Sequence, residues 1–488
     1  MTQFRSAGHL DAAFFFRGIG QPGGFLAVRG WFCVLDQESL TLSAALWVED
    51  TVVQIRCHEP RPDVAAANAA YSANSGFNVI IPISLEAKPE LEVIINFSAG
   101  QQQCGSLAGR ICHPDLEIEQ HSGSLSELRL KKLRNLVLNE RERLSHTERT
   151  TSMPVTGQID PAFPCNLECP LCLSEMARRQ GYTMPIMKEA ELDHILSAYG
   201  DYLVRIWLSL WGEPLLNKRL PELIAKCKRR EIWVLISSNM SVPLTAASID
   251  ALVMSGLDSI ILSIDGATQE TYQTYRRGGD LALVLGNVRR LVEAKRRLGL
   301  RTPHLYWRYL TFPWNRHEIE MARDMAGSLG VDEFGVEPGV MTPDTRHVLT
   351  PRNSTERSRK QELEISALWH RHADERQSHH QYFGCDYLYQ SISINSNGLV
   401  HPCCYVVSPE HAVGNAAQAP DDLRNGSVMR ASRKLLASFT SPRPASEQPG
   451  FDPCLSCDVV HSTSGHVNTQ TSFEPMYRHL LHGAPIRW

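Results

Sequence analysis

Three cysteines crowd into the stretch Cys165-Asn166-Leu167-Glu168-Cys169-Pro170-Leu171-Cys172, just after a short apolar run at Thr156–Ile159. Thiolates are soft ligands that suit zinc and iron–sulfur clusters. Three of them are one short of a closed site, and a four-iron cluster held by three thiolates keeps one iron open to bind a further molecule. A zinc knuckle is the competing use of this spacing. It needs a fourth Cys or His close by, and residues 173–192 contain neither.

A second set stands toward the C-terminus: Cys385, Cys403 and the pair Cys454 and Cys457, with Gly398 between the first two. Glycine tolerates positive φ, so Gly398 permits the tight turn that returns the chain and brings Cys385 near Cys403. Four thiolates close a cluster, and a structural zinc on the same four residues is the alternative. Cys33, Cys57, Cys104, Cys112 and Cys227 have no ligand-like spacing and read as small buried hydrophobes. His370, His372, His379 and His380 lie in a polar linker and read as solvated.

The CxxxCxxC spacing of Cys165, Cys169 and Cys172 resembles the signature of the radical S-adenosylmethionine (SAM) superfamily, and the resemblance extends over residues 155–340. It implies a [4Fe–4S] cluster whose open iron chelates SAM, and cleavage of SAM to a 5′-deoxyadenosyl radical that abstracts hydrogen from an unactivated carbon. Trp211-Gly212-Glu213-Pro214 is similar to the family's GGE(P) element, with Trp211 replacing the commoner glycine; the resemblance places Gly212, Glu213 and Pro214 at the methionine amino group. Ser263-Ile264-Asp265-Gly266 is similar to the family's ribose-contacting segment, which implies that Ser263 and Asp265 meet the ribose hydroxyls. By the same resemblance Ser237 and Asn239 line the pocket, Arg308 pairs with the SAM carboxylate, and Val336 and Leu171 lie against adenine.

The C-terminal set resembles the SPASM/twitch arrangement. With no cysteine after Cys457 it is similar to the shorter, single-cluster twitch form of aminocyclitol dehydrogenases, which implies two [4Fe–4S] clusters in all, one SAM-binding and one auxiliary. Cys404 follows the expected ligand Cys403 at a position that in sulfatase-maturing relatives resembles the site of an aspartate base. A thiol there either returns a hydrogen atom to a substrate radical or is a packed cysteine. The resemblance also implies an electron donor such as flavodoxin or ferredoxin.

These groups need elements to position them. Residues 1–120 have β texture, with Ala45–Val48 and Val52–Ile55 flanking Glu49-Asp50 as a hairpin does, and read as a β-sandwich-like domain. Residues 121–150 have helical spacing and read as a linker. Over 151–345 apolar runs at Thr156–Ile159, Val204–Leu210, Trp233–Ser237, Ser259–Ile264, Leu305–Leu310 and Glu333–Val336 alternate with amphipathic segments. This α/β pattern predicts a parallel sheet, a partial (β/α)6 barrel open on one side. A polar helical linker at 346–382 then leads to a small cluster-binding domain at 383–488.

The chain of 488 residues carries a formal net charge of -4 with no basic stripe, which argues against nucleic acid as a partner. No stretch approaches the ~20 apolar residues of a membrane span, so a cytoplasmic location and no membrane partner are expected. Thirteen cysteines in a reducing compartment point to metal or redox chemistry rather than disulfides. The expected reaction is oxidoreductase or isomerase chemistry, dehydrogenation or epimerisation of a polar small-molecule or glycan substrate such as a sugar or aminocyclitol. The alternative is a peptide- or protein-modifying maturase, against which the β texture of the N-terminal domain speaks, since such enzymes often carry a winged-helix recognition domain. A cluster-bearing scaffold or redox sensor is the non-enzymatic alternative.

Overall fold

The structure is a computed structural model that describes residues 6–17, 23–35, 42–49, 51–56, 75–83, 91–179, 181–339, 386–404, 406, 409–438, 473–484 and 486. The chain divides into two compact units, Met1–Thr147 with Asn468–Trp488, and Glu148–Val467.

The first unit contains two antiparallel sheets. One has the order β1 (Ser6–Arg17), β2 (Gly24–Val34), β5 (Gly76–Ile83), and the other has β4 (Thr51–Arg56), β3 (Ser43–Val48), β6 (Glu92–Ala99), β7 (Gln102–Arg110). Strand periodicity sorts the side chains: in β6, Val93, Ile95 and Phe97 are buried while Glu92 and Ile94 face out. Phe97 stacks on Phe32 of the other sheet with ring centroids 3.9 Å apart, so the two inner faces share one apolar core. The β3–β4 hairpin turns at Glu49, whose φ of 48° lies in the left-handed region that such two-residue turns require. A helix over Glu127–Leu144 occupies the segment read as a helical linker.

The last helix, Phe473–His482, belongs to this unit and not to the C-terminal module to which the sequence reading assigns it. Its apolar face of Phe473, Met476, Tyr477, Leu480 and Leu481 is buried, with Phe473 edge-on to Phe14 and Phe16 of β1. An amphipathic helix goes to whichever core can bury its stripe, and sequence position does not decide that.

The second unit is organised by one sheet with β8 (Thr156–Ile159), β9 (Arg205–Trp207), β10 (Trp233–Ser238), β11 (Ser259–Ser263), β12 (His304–Thr311) and β13 (Glu333–Pro338) side by side in sequence order. All five pairings among them are parallel. Helices return the chain between strands, and the runs Ile232–Ile236 and Ile260–Leu262 are almost entirely buried, as a parallel sheet covered on both faces requires. The sheet stays open, as expected, with β13 at one edge.

At the other edge the structure adds what the sequence did not suggest. β14 (Ser391–Ile394) pairs parallel to β8, and β15 (Leu399–His401) and β16 (Gly414–Asn415) continue antiparallel, so the C-terminal module extends the barrel's own sheet. An unpaired β8 edge would leave its amides and carbonyls unsatisfied, and β14 takes them up. Gly398, at φ 82°, makes the β14–β15 turn. The linker at 346–382 and Cys57, Cys385, Cys454 and Cys457 lie outside the described residues. Among the described residues no helix is long and apolar enough to cross a membrane.

Candidate cofactor and substrate site

In an open parallel sheet ligands sit beyond the carboxyl ends of the strands, and every barrel residue singled out by sequence lies on or near such an end, or in the loop that follows it. The loop after β8 carries the cysteine triad. Cys169 is buried, Cys165 and Cys172 are half-buried, and the three share one apolar cluster with Leu167, Leu171, Tyr275 and Phe312. Local bonds shape the loop: the Leu167 amide donates to Cys165 Sγ at 3.4 Å, the Cys172 amide to the Cys169 carbonyl at 3.1 Å, and Cys172 Sγ lies 2.9 Å from Ser174 Oγ. Burial, followed by the Glu213 carboxylate, pushes the Cys165 thiol up to about 11. Burial pushes Cys169 up to about 12 against the pull of Arg276. A bound metal reverses that balance, because coordination deprotonates a thiol outright.

Among the described residues no three His, Cys, Asp or Glu side chains converge closely enough to grip a single ion. A [4Fe–4S] cluster does not ask for that convergence, since each thiolate binds a different iron.

The Trp211-Gly212-Glu213-Pro214 segment is pinned against the cysteine loop. A Cβ on Gly212 would stand 1.7 Å from the Ala162 carbonyl oxygen, so only glycine fits. Trp211, where glycine is commoner, is buried beside Phe163, Ala177 and Met184 and wedges the segment from its apolar side. Pro214 opens a short 3-10 turn.

Glu213 and Asp265 are both buried and accept hydrogen bonds from neighbouring segments. Glu213 is 2% exposed, and its carboxylate accepts from Ser238 Oγ at 2.7 Å, from the Asn239 amide at 2.9 Å and from the Leu215 amide at 3.0 Å. Burial nevertheless raises its pKa. Asp265 is fully buried and accepts from Arg276 Nε at 2.6 Å and from the Leu310 amide at 2.8 Å. Both carboxylates are thus hydrogen-bonded to the strand-end loops.

Ser237, Ser263 and Arg308 form a chain across three adjacent strands. Ser237 Oγ lies 3.1 Å from Ser263 Oγ, and Arg308 Nη2 reaches Ser263 Oγ at 3.5 Å. Arg308 Nε is buried with no hydrogen-bond partner, an unmet donor on a cation that a ligand carboxylate would satisfy. Asn239 closes β10 with its Nδ2 on Asn166 Oδ1 at 3.1 Å and 3.7 Å from Cys165 Sγ. Leu171 packs in the cysteine cluster, whereas Val336 on β13 is 40% exposed.

Sequence reasoning passed over Asp160 and Arg276. Asp160 ends β8 fully buried, and its Oδ1 accepts the Trp211 and Gly212 amides at 3.2 and 3.4 Å. Burial raises it to about 6, against the amides of Trp211, Gly212, Leu210 and Ala162. An aspartate directly after an apolar run was the available signal. Nothing in spacing pointed to Arg276.

In the C-terminal module Cys403 and Cys404 are half-buried. Burial pushes the Cys404 thiol up to about 11, against the opposing influence of the neighbouring Tyr387 and Gln158 side chains, the latter on β8. Gln158 Oε1 also accepts from Ser393 Oγ at 3.0 Å, which places Cys404 at the seam between β8 and β14.

The chain is similar to known proteins over two segments. Residues 162–326 match the model of the radical SAM superfamily, and residues 385–458 match that of the SPASM iron–sulfur cluster-binding domain. The GTP 3′,8-cyclase of Chlorobaculum tepidum is 35% identical over 115 residues, 23% of this chain and 33% of that protein. A probable GTP 3′,8-cyclase of Methanococcus maripaludis is 26% identical over 183 residues, 38% of this chain and 58% of its own length. The chain thus spans about a third and somewhat over half of these curated relatives. Among solved structures, Streptococcus suis SuiB bound to S-adenosylmethionine covers 74% of this chain and 85% of its own at 16% identity and TM-score 0.47. Native anSMEcpe with bound AdoMet covers 64% and 88% at 14% identity and TM-score 0.41.

Proposed function

We propose that this chain, a radical SAM enzyme with a SPASM domain, removes hydrogen from a polar small molecule, a sugar or aminocyclitol, and ends in dehydrogenation or epimerisation. The observation that carries the SAM-dependent part is the juxtaposition of three thiols in one apolar pocket with the buried, unmet Arg308 Nε at the ends of the same parallel strands. Cys165, Cys169 and Cys172 hold the catalytic [4Fe–4S] cluster. Cys403, with Cys385, Cys454 and Cys457, holds the auxiliary one, which serves as electron acceptor in an oxidation.

When bound, the cluster and SAM together supply a 5′-deoxyadenosyl radical that abstracts hydrogen. The protein's part is to bind and orient. Arg308 receives the SAM carboxylate, the hydroxyls of Ser237 and Ser263 offer hydrogen bonds to the ribose, and the backbone at Gly212 approaches the methionine end. Glu213 and Asp265 keep those loops fixed. The apolar surround of Leu171, Tyr275 and Phe312 excludes water from the thiolates.

The two antiparallel sheets of the first unit are not a winged helix, and this favours a small polar substrate over a peptide. An electron donor of the flavodoxin or ferredoxin type and a cytoplasmic setting complete the proposal. Its test is anaerobic incubation of reconstituted enzyme with SAM, reductant and candidate sugars, aminocyclitols, peptides and GTP, scored for substrate-dependent 5′-deoxyadenosine. A sugar or aminocyclitol response supports the substrate class; a response to peptide or GTP alone overturns it while leaving the SAM chemistry standing.

A further inference from the structure

Arg276 has no role in the function proposed above, yet it stands beside the cysteine triad. It follows the helix Gln269–Tyr275, its side chain is 12% exposed, and its guanidinium is oriented from two sides. Nε donates to Asp265 Oδ2 at 2.6 Å, and Asp265, itself fully buried, is held at the end of β11 by the Leu310 amide. The other edge turns to the triad, with Nη1 4.0 Å from Cys169 Sγ. The Tyr275 ring lies 5.1 Å from the guanidinium carbon. The ion pair therefore presents its positive end to a sulfur expected to ligate the cluster, within a largely apolar pocket where charge is weakly screened.

We propose that Arg276 is a redox-positioning residue: held in register by Asp265, it places a fixed positive charge and an N–H donor against the Cys169 thiolate and so raises the reduction potential of the SAM-site cluster. Reduction adds one electron from an external one-electron reductant and increases the negative charge on cluster and thiolates. A fixed cation stabilises the reduced state more than the oxidised one, and hydrogen bonds to cluster sulfurs act in the same direction. No bond breaks and no proton moves. The inference rests on the reading that Cys165, Cys169 and Cys172 hold a [4Fe–4S] cluster.

The test is an EPR-monitored redox titration of anaerobically reconstituted protein with dithionite. The SAM-site cluster is identified as the signal that changes on adding SAM. Arg276→Gln should lower its midpoint potential, shifting the reduction equilibrium at least tenfold, about 59 mV for a one-electron couple. Arg276→Lys, which keeps the charge, should fall between that variant and wild type. If Arg276→Gln leaves the buried Asp265 charge uncompensated and fails to fold, the pair Asp265→Asn and Asp265→Asn/Arg276→Gln makes the same comparison without it. Equal potentials with and without the arginine, at equal iron content, overturn the proposal and leave Arg276 structural. Loss of any SAM-responsive signal from wild type overturns the cluster reading, and this inference with it.

Discussion

Asp160 and Gly212 are joined by a hydrogen bond from the Gly212 amide to Asp160 Oδ1, and this contact ties the end of the first barrel strand to the segment after the second. Its partner bond from the Trp211 amide and the close approach of Gly212 to the Ala162 carbonyl pack the two loops directly against each other. Four predictions follow from this geometry and its surroundings.

Asp160 is an acid whose pKa in the folded protein, about 6, lies above its ordinary 3.8. Between those values the folded state holds more protons than the unfolded one, so stability declines as pH rises through that window, by on the order of 3 kcal/mol in full. Asp160→Asn should flatten the decline. Melting temperatures of wild type and variant across pH 4 to 7 check this, and parallel curves would show that Asp160 ionises as an ordinary carboxyl.

Gly212→Ala introduces a methyl group where the Ala162 carbonyl stands. The segment must move, at a cost of about 1–3 kcal/mol, and SAM affinity should fall with it. Calorimetric SAM titration alongside thermal melting reads both; unchanged affinity would separate this backbone from the cofactor.

Anaerobic reconstitution should load about eight irons, four for each of two clusters. Replacing Cys165, Cys169 and Cys172 together by Ala should halve the iron and abolish 5′-deoxyadenosine formation. Arg308→Ala should instead keep the iron and weaken SAM binding by about 1.5–3 kcal/mol, the range of a charged hydrogen bond. Zinc in place of iron at the C-terminal set, seen by metal analysis, would exclude an auxiliary cluster.

Cys404 distinguishes two reaction outcomes. As hydrogen donor it should give an inverted, singly deuterated product in deuterated buffer, with Cys404→Ala stalling or oxidising the substrate. An oxidised product from both proteins would assign the enzyme to dehydrogenation and leave Cys404 as a packed residue between Gln158 and Tyr387.

The sequence alone determined the glycine turn at Gly398 and the order of six strands, because positive φ and hydrophobic period are local properties that a linear pattern records. It also marked Ser237, Ser263 and Arg308 as strand-end residues, which the sheet aligns across β10, β11 and β12. The tertiary structure decided which protein groups meet each buried carboxylate. Glu213 and Asp265, expected at the cofactor from the family resemblance, accept hydrogen bonds from Ser238, Asn239, Arg276 and Leu310 of neighbouring segments. Arg276 reaches Cys169 across more than a hundred residues of chain, and β14 pairs with β8 across more than two hundred. Long-range pairings of this kind are set by which buried groups must be satisfied in three dimensions, and no sequence window contains both partners.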